Sequence, residues 1–202
     1  MDDLNNFIVI DFEFDGIDIH NAELIEFCCL YVVNGVLVDE ISKKVKYLFK
    51  FDELNKSKKE GLKFNKITSQ KDLDEHNGSA LEVEKILTLF LEKLKKNFEN
   101  KKVPVIGWNH ASDMCLLWKL FDRYKIDKDK VLDYHIVDVG SMFRPFYHKL
   151  FERKFKFKLE NTHQHLIGTF KKEDFHIAKN DCIATLDIYY WIKKELETKL
   201  RN

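Results

Sequence analysis

Asp11 and Glu13 stand in the middle of an apolar run, FIVIDFEFDG (residues 7–16). In an extended strand, residues two apart point to the same side, so both carboxylates would share one face. The flanking Ile8, Val9, Ile10, Phe12 and Phe14 mark a strand covered on both faces, as central strands of α/β sheets are. Two like charges side by side in such a place are costly unless something positive neutralises them. A bound metal ion is the usual neutraliser. The same spacing recurs at Asp72/Asp74 and Asp127/Asp129, but in lysine-rich surroundings, where the acids read as surface charge. Context, not spacing, separates the first pair from the others.

Two more acids fall where distant segments would meet. Asp113, in VIGWNHASDMCLLW, lies just past an apolar strand, at the start of a helix. Asp181, in FHIAKNDCIATLDIYYW, lies early in the last helix, with His176 five residues ahead on the segment leading into it. Open α/β sheets gather such positions at the carboxyl ends of their strands. Simpler roles exist for each. Asp113 could satisfy the free N–H groups of a helix start. Asp138, ending the strand HIVDV, could touch the same site or only cap the next helix. His163 and His165, in HQH, invite a metal reading that nothing else supports, and read as surface or helix-capping groups.

The elements that must position these residues follow from patterning. Two extended runs, ELIEFCCLYVV and VLVDEISKKVKYLF, are joined by Asn34-Gly35, a strong hairpin signal because both residues tolerate positive φ. Residues 50–66 read as a lysine-rich, irregular, solvated connection. Residues 80–98 repeat apolar side chains at helical spacing, and Ser79 with Glu82 forms a capping-box pattern. A short strand at 102–109, a helix at 114–124, a strand leading into a helix at HIVDVGSMF, and a long final helix at 182–200 complete the chain. A three-strand meander followed by alternating helix and strand predicts a mixed α/β sheet flanked by helices.

Composition sets the bounds. The 202 residues, 45% hydrophobic with 17 phenylalanines, suit one domain spanning 1–202, and only 2 prolines and 7 glycines leave no room for linkers. No stretch is apolar for the length of a membrane span, and the start MDDLNN is acidic, unlike a signal peptide. Cysteines at 28, 29, 115 and 182 lack paired metal spacing and read as buried thiols of a reducing compartment, cytoplasm or nucleus. With 34 basic and 34 acidic residues, the chain does not coat nucleic acid by bulk charge, though a local basic rim around an acidic site remains compatible.

In three ordered motifs, DFE (Asp11, Glu13), NHASD (Asp113) and HIAKND (His176, Asp181), the sequence resembles the DEDD 3′–5′ exonucleases of the ribonuclease H-like superfamily, in the histidine branch. The motifs span nearly the whole chain. Ser112 stands where members commonly carry an aromatic, and Ile177, four positions before Asp181, excludes the tyrosine branch. The resemblance implies the ribonuclease H-like fold and two divalent cations, Mg²⁺ or Mn²⁺, on Asp11, Glu13, Asp113 and Asp181. Asp11 would bridge both ions, Glu13 and Asp181 would complete the water-activating site, and Asp113 would hold the second ion. His176 would act as general base. Nucleoside 5′-monophosphates would leave the 3′ end of single-stranded DNA or RNA.

Trp108 and Asn109, at a strand end, are placed to meet a nucleotide. Phe14, beside the acids, and Asp138 are further substrate-binding candidates, although strand alternation turns Phe12 and Phe14 toward the opposite side. RKFKFK (153–158) either pairs phosphate contacts with base stacking or sets its phenylalanines into the core. The family includes a polymerase proofreading subunit, oligoribonuclease and RNA-trimming nucleases, which leaves open a homodimer or a polymerase or RNA-processing partner. The alternative is a non-catalytic nucleic-acid-binding or interaction domain that kept the fold. Its sequence sign would be lost carboxylates, and none is lost.

Overall fold

The structure, a computed structural model, describes residues 4–16, 18–150 and 156–200. Among the described residues there are five strands: β1 (Phe7–Phe14), β2 (Leu24–Val33), β3 (Val36–Lys44), β4 (Val103–Gly107) and β5 (Leu132–Asp138). They form one sheet in the order β3-β2-β1-β4-β5. The first three strands meander antiparallel, and β4 and β5 add in parallel on the other side of β1. Asn34 and Gly35 turn the β2–β3 hairpin with φ of 52° and 74°, the left-handed region that Asn and Gly tolerate best. The helices are α1 (Lys56–Phe64), α2 (Gln70–Gly78), α3 (Val83–Phe98), α4 (Ala111–Arg123), α5 (Lys128–Val131), α6 (Val139–Leu150), α7 (Leu159–Leu166) and α8 (Ala178–Leu200).

Strand alternation splits the core into two layers. Ile8, Ile10 and Phe12 point to one face, into a cluster with Phe27, Phe90, Leu117 and Phe121 from β2, α3 and α4. Phe7 and Val9 point to the other, against Val139 and Phe143 of α6 and Ile188 and Ile192 of α8. Asp11 and Glu13 continue that second face toward the carboxyl end of β1. Phe12 stacks on Phe27 with ring centroids 4.7 Å apart, and truncating it to alanine would cost roughly 3–5 kcal/mol. Asp11 and Glu13 therefore sit on the central strand of the sheet, between β2 and β4.

Four expectations change. The lysine-rich connection is largely helical: α1 starts on an Asn55 cap, whose side chain accepts from the Lys58 N–H at 3.0 Å. Its few apolar residues, Leu54, Leu62 and Ile67, join Ile25, Tyr47 and Leu73 in a third small core. Ser79 and Glu82 make no capping box; Ser79 ends α2, and the Glu82 carboxylate turns to Lys46 at 2.8 Å. The reason is a bridge between Val45 and Leu81, which holds this stretch extended and delays α3 to Val83. Cys28, Cys29 and Cys182 are buried thiols, but Cys115 is exposed on α4. His163 is fully buried on α7, its Nε2 3.1 Å from Asp187 on α8 and its ring stacked on Phe170, so it ties two helices together. Among the described residues, no helix is long and apolar enough to cross a membrane.

Candidate active site

The sheet brings Asp11, Glu13, Asp113 and Asp181 to the carboxyl end of β1 from three distant parts of the chain. β1 supplies the first two on one face. The β4–α4 connection turns back over the strand end, and the Asp113 Oδ1 accepts the Phe12 backbone N–H at 2.8 Å, which pins the start of α4 to β1. α8 lies against β1 and β2 and carries Asp181 in its first turn. Its Oδ2 accepts the His176 N–H at 3.2 Å, while the Ala178 N–H reaches Glu26 Oε2 at 3.4 Å. His176 itself adopts φ of 62°, so the chain turns sharply just before the helix and leaves the imidazole 54% exposed. The ligand atoms of Glu13, His176 and Asp181 all lie within 4.8 Å of one another.

The electrostatics of this cluster are unfavourable as it stands. Burial, then the charges of Asp113, Asp181 and Glu13, push the Asp11 carboxyl well above the usual range. Glu13 rises to about 8, through burial and the neighbouring Asp181, Glu26 and Asp113. Burial likewise lifts Asp181 to about 7 and Asp113 to about 6, against the opposing effect of the backbone N–H each accepts. Asp181 Oδ1 is buried with no hydrogen-bond partner. An unpaired buried carboxylate oxygen is rare and calls for a ligand. The donors present, four carboxylates and one imidazole, suit a hard divalent cation. The residues fit the group.

The RNase T exonuclease model matches residues 8–189. The chain belongs to the DEDD exonuclease superfamily. A comparison with curated protein sequences gave no match. Among solved structures, E. coli exonuclease I in a zinc-bound complex with single-stranded DNA superposes with a TM-score of 0.70 at 14% identity over 95% of this chain. A second structure of exonuclease I gives 0.71 at 16% identity over 94%. This chain spans 41% of the length of each of those proteins. DEDD exonucleases are divalent-metal dependent, and in this domain Glu13, His176 and Asp181 lie close enough together to hold such an ion.

The other candidates of this DEDD domain separate. Asp138 accepts the Asn109 N–H at 2.7 Å, the Gly140 N–H at 3.0 Å and the Ser141 hydroxyl at 2.6 Å. Although burial opposes it, these bonds hold its carboxyl below the usual range, so it clamps the β4–α4 connection to the start of α6. Asn109, at φ of 48°, is held by that clamp. Trp108 packs into the α6–α8 layer beside Phe157, ring centroids 5.3 Å apart. Phe14 packs against the opposite core layer and turns away from the acids beside it. In RKFKFK, residues 153–155 lie outside the described residues, and Phe157 belongs to the aromatic cluster under Trp108.

Four neighbours went unread in the sequence. Glu26 faces Glu13 across the β1–β2 register, and Glu160 Oε2 lies 3.9 Å from His176 Nε2. Phe64, 68% exposed, places its ring 6.2 Å from the His176 ring. Asp15, fully buried, accepts from Tyr47 and Lys58. None of the four had a clear sequence signal: the Asn34-Gly35 turn sets the β2–β3 register, in which Glu26 opposes Lys44, whereas its pairing with Glu13 belongs to β1–β2.

Proposed function

We propose that the protein is a metal-dependent 3′–5′ exonuclease that releases nucleoside 5′-monophosphates from single-stranded DNA or RNA, with Mg²⁺ or Mn²⁺ as cofactor. The observation that carries this is the buried Asp181 Oδ1 without a partner, in a cluster whose carboxyls are all pushed upward, first by burial and, for Asp11, Glu13 and Asp181, also by neighbouring acids. The likeness to a fold solved with single-stranded DNA supports a single-stranded substrate.

Asp11, Glu13, Asp113 and Asp181 would hold two cations. When bound, these supply hydroxide near neutral pH and neutralise charge on the reacting phosphodiester. Asp113 has committed only Oδ1 to Phe12, which leaves Oδ2 for a ligand. His176, at the open rim, takes the proton of the attacking water. The Glu160 carboxylate beside its Nε2 stabilises the imidazolium that results. Water oxygen joins the phosphorus, the bond to the 3′ oxygen breaks, the shortened strand takes up a proton from solvent to end in a 3′ hydroxyl, and the phosphate leaves on the 5′ oxygen of the released nucleotide.

The test is incubation with Mg²⁺ or Mn²⁺ and matched 5′-labelled single-stranded DNA and RNA, beside EDTA and Asp181→Ala controls. A ladder shortening from the 3′ end, lost in both controls, is expected, and its rate on each polymer gives the sugar preference. No cleavage and no metal-induced rise in melting temperature would leave a binding domain that kept the fold.

A further inference from the structure

The stretch 46–66 carries seven lysines against three acids in a chain whose net charge is zero. On α1, Lys56, Lys59 and Lys63 recur at spacings of three and four and share one face, with Lys66 just past the helix end. The first three line an open depression of about 490 Å³ floored by Phe51 and Leu54. Glu60 is the one acid on its wall, 3.8 Å from Lys56. Lys63 and Lys66 have no carboxylate within ion-pair distance among the described residues. Aromatic rings lie between the charges. The Lys58 ammonium sits 5.0 Å from the Phe49 ring, the Lys59 ammonium 5.4 Å from Phe51, and Phe49 and Phe64 are 47% and 68% exposed.

This surface is bolted to the catalytic strand. Asp15, two residues beyond Glu13, is 0% exposed and accepts from the Glu23 N–H at 2.8 Å, from the Tyr47 hydroxyl and from Lys58 Nζ at 2.9 Å. α1 comes so close that a Cβ on Gly61 would stand 2.2 Å from the Asp15 carbonyl oxygen. Phe64, at the end of α1, reaches His176. Unpaired lysines and exposed phenylalanines add little to stability, yet the fold sets Phe64 beside His176 and places Lys66 on the same depression as Glu26 and His176.

We propose that this lysine and phenylalanine surface binds the part of a single-stranded nucleic acid that lies outside the carboxylate site. Lys63 and Lys66 contact phosphates, and Phe49 and Phe64 stack on bases. The inference rests on the nuclease reading and deepens it. A single strand fits because it offers phosphates and bare base faces together, whereas a duplex hides its bases.

The test is fluorescence anisotropy of the full chain with 5′-fluorescein-labelled 20-nucleotide oligo-dT and oligo-U, in Ca²⁺, at several salt concentrations. Lys63→Ala/Lys66→Ala is expected to weaken binding about tenfold and to lower the salt slope by roughly 1.4, since each phosphate contact on a single strand contributes about 0.7. Phe64→Ala should weaken binding with the slope unchanged. Lys130→Ala, on exposed α5, serves as the control and should change nothing. Melting temperatures check that each variant folds. Unchanged affinity and slope in the folded double variant would overturn the proposal. So would binding to phosphatidylserine vesicles that the same variant abolishes while oligonucleotide binding persists. Absence of cleavage by the unmodified protein would instead strike the nuclease reading, and the binding measurement would still decide this one.

Discussion

Asp11 and Asp15 are four residues apart at one strand end, and both are carboxylates withdrawn from water, yet their surroundings are opposite. Asp15 has a backbone N–H, a tyrosine hydroxyl and a lysine ammonium within hydrogen-bond reach. Asp11 has Asp113, Asp181 and Glu13 as its electrostatic neighbours, and every one of them raises it. The protein could evidently supply a cation to an acid at this strand end, because Lys58 crosses from α1 to do so. Among the described residues, no lysine or arginine makes an ion pair with the cluster. A buried acid that serves the fold is satisfied from within, and one that serves chemistry keeps a charge deficit for something outside to fill. Substitutions at the two places should therefore fail in opposite ways.

The largest contrast is between Asp181→Asn and Asp15→Ala. Asp181→Asn should reduce cleavage by at least about a thousandfold, roughly 4 kcal/mol of barrier, and abolish metal-induced stabilisation. Its metal-free melting temperature should hold or rise, because one repelling charge has gone. Asp15→Ala should lose roughly 3 kcal/mol of stability, since it strands the Lys58 ammonium at 19% exposure and two further donors. Thermal melts with and without Mn²⁺, beside a cleavage assay, read both effects. A metal-free Asp181→Asn protein as unstable as Asp15→Ala would erase the distinction.

Next in size is the response to pH. Glu13, Asp181 and Asp113 stand at about 8, 7 and 6 in the fold, all above the usual carboxylate range near 4. The folded state thus binds protons more tightly than the unfolded chain does. Their contribution is fully present below about pH 4 and is lost as pH rises through 6 to 8. The melting temperature in EDTA should fall across that window. Saturating Mn²⁺ holds the carboxylates ionised throughout, so the fall should flatten, and at a hundred times its dissociation constant the metal adds about 2.7 kcal/mol. A flat EDTA profile would mean that burial and the neighbouring acids do not raise these carboxyls.

The same contrast explains what the sequence revealed. Asp11 and Glu13 could be read because an apolar strand makes a charge conspicuous, and Asn34-Gly35 fixed the hairpin beside them. The meander and the alternation that follows were legible for the same reason, as strong periodicity bounded by turns. Asp15 was not legible: its partners, Tyr47 and Lys58, are 32 and 43 positions away, in a segment whose apolar residues are too sparse for any period. α1 was missed with it, because Leu54, Leu62 and Ile67 bury themselves against β2 and α2 and make no stripe of their own. Asp138 read equally as a site residue or a cap, since a strand-end aspartate serves either use, and its three donors make it a clamp.

Glu26→Gln tests where the cluster ends and should have the smallest effect. Glu26 faces Glu13 in the β1–β2 register and adds to the field that lifts both Glu13 and Asp181, as a ligand would. Its Oε2 also accepts the first N–H of α8, as a cap would. A glutamine keeps the acceptor and removes the charge. If Glu26 acts as the cap, the metal-free protein should gain about 0.5 kcal/mol from relieved repulsion, and Mn²⁺ affinity should fall less than about threefold. Metal titration followed by melting temperature separates the cases. Loss of the metal response on the scale of Asp181→Asn would move Glu26 from the supporting side of the comparison to the carboxylates that await a cation.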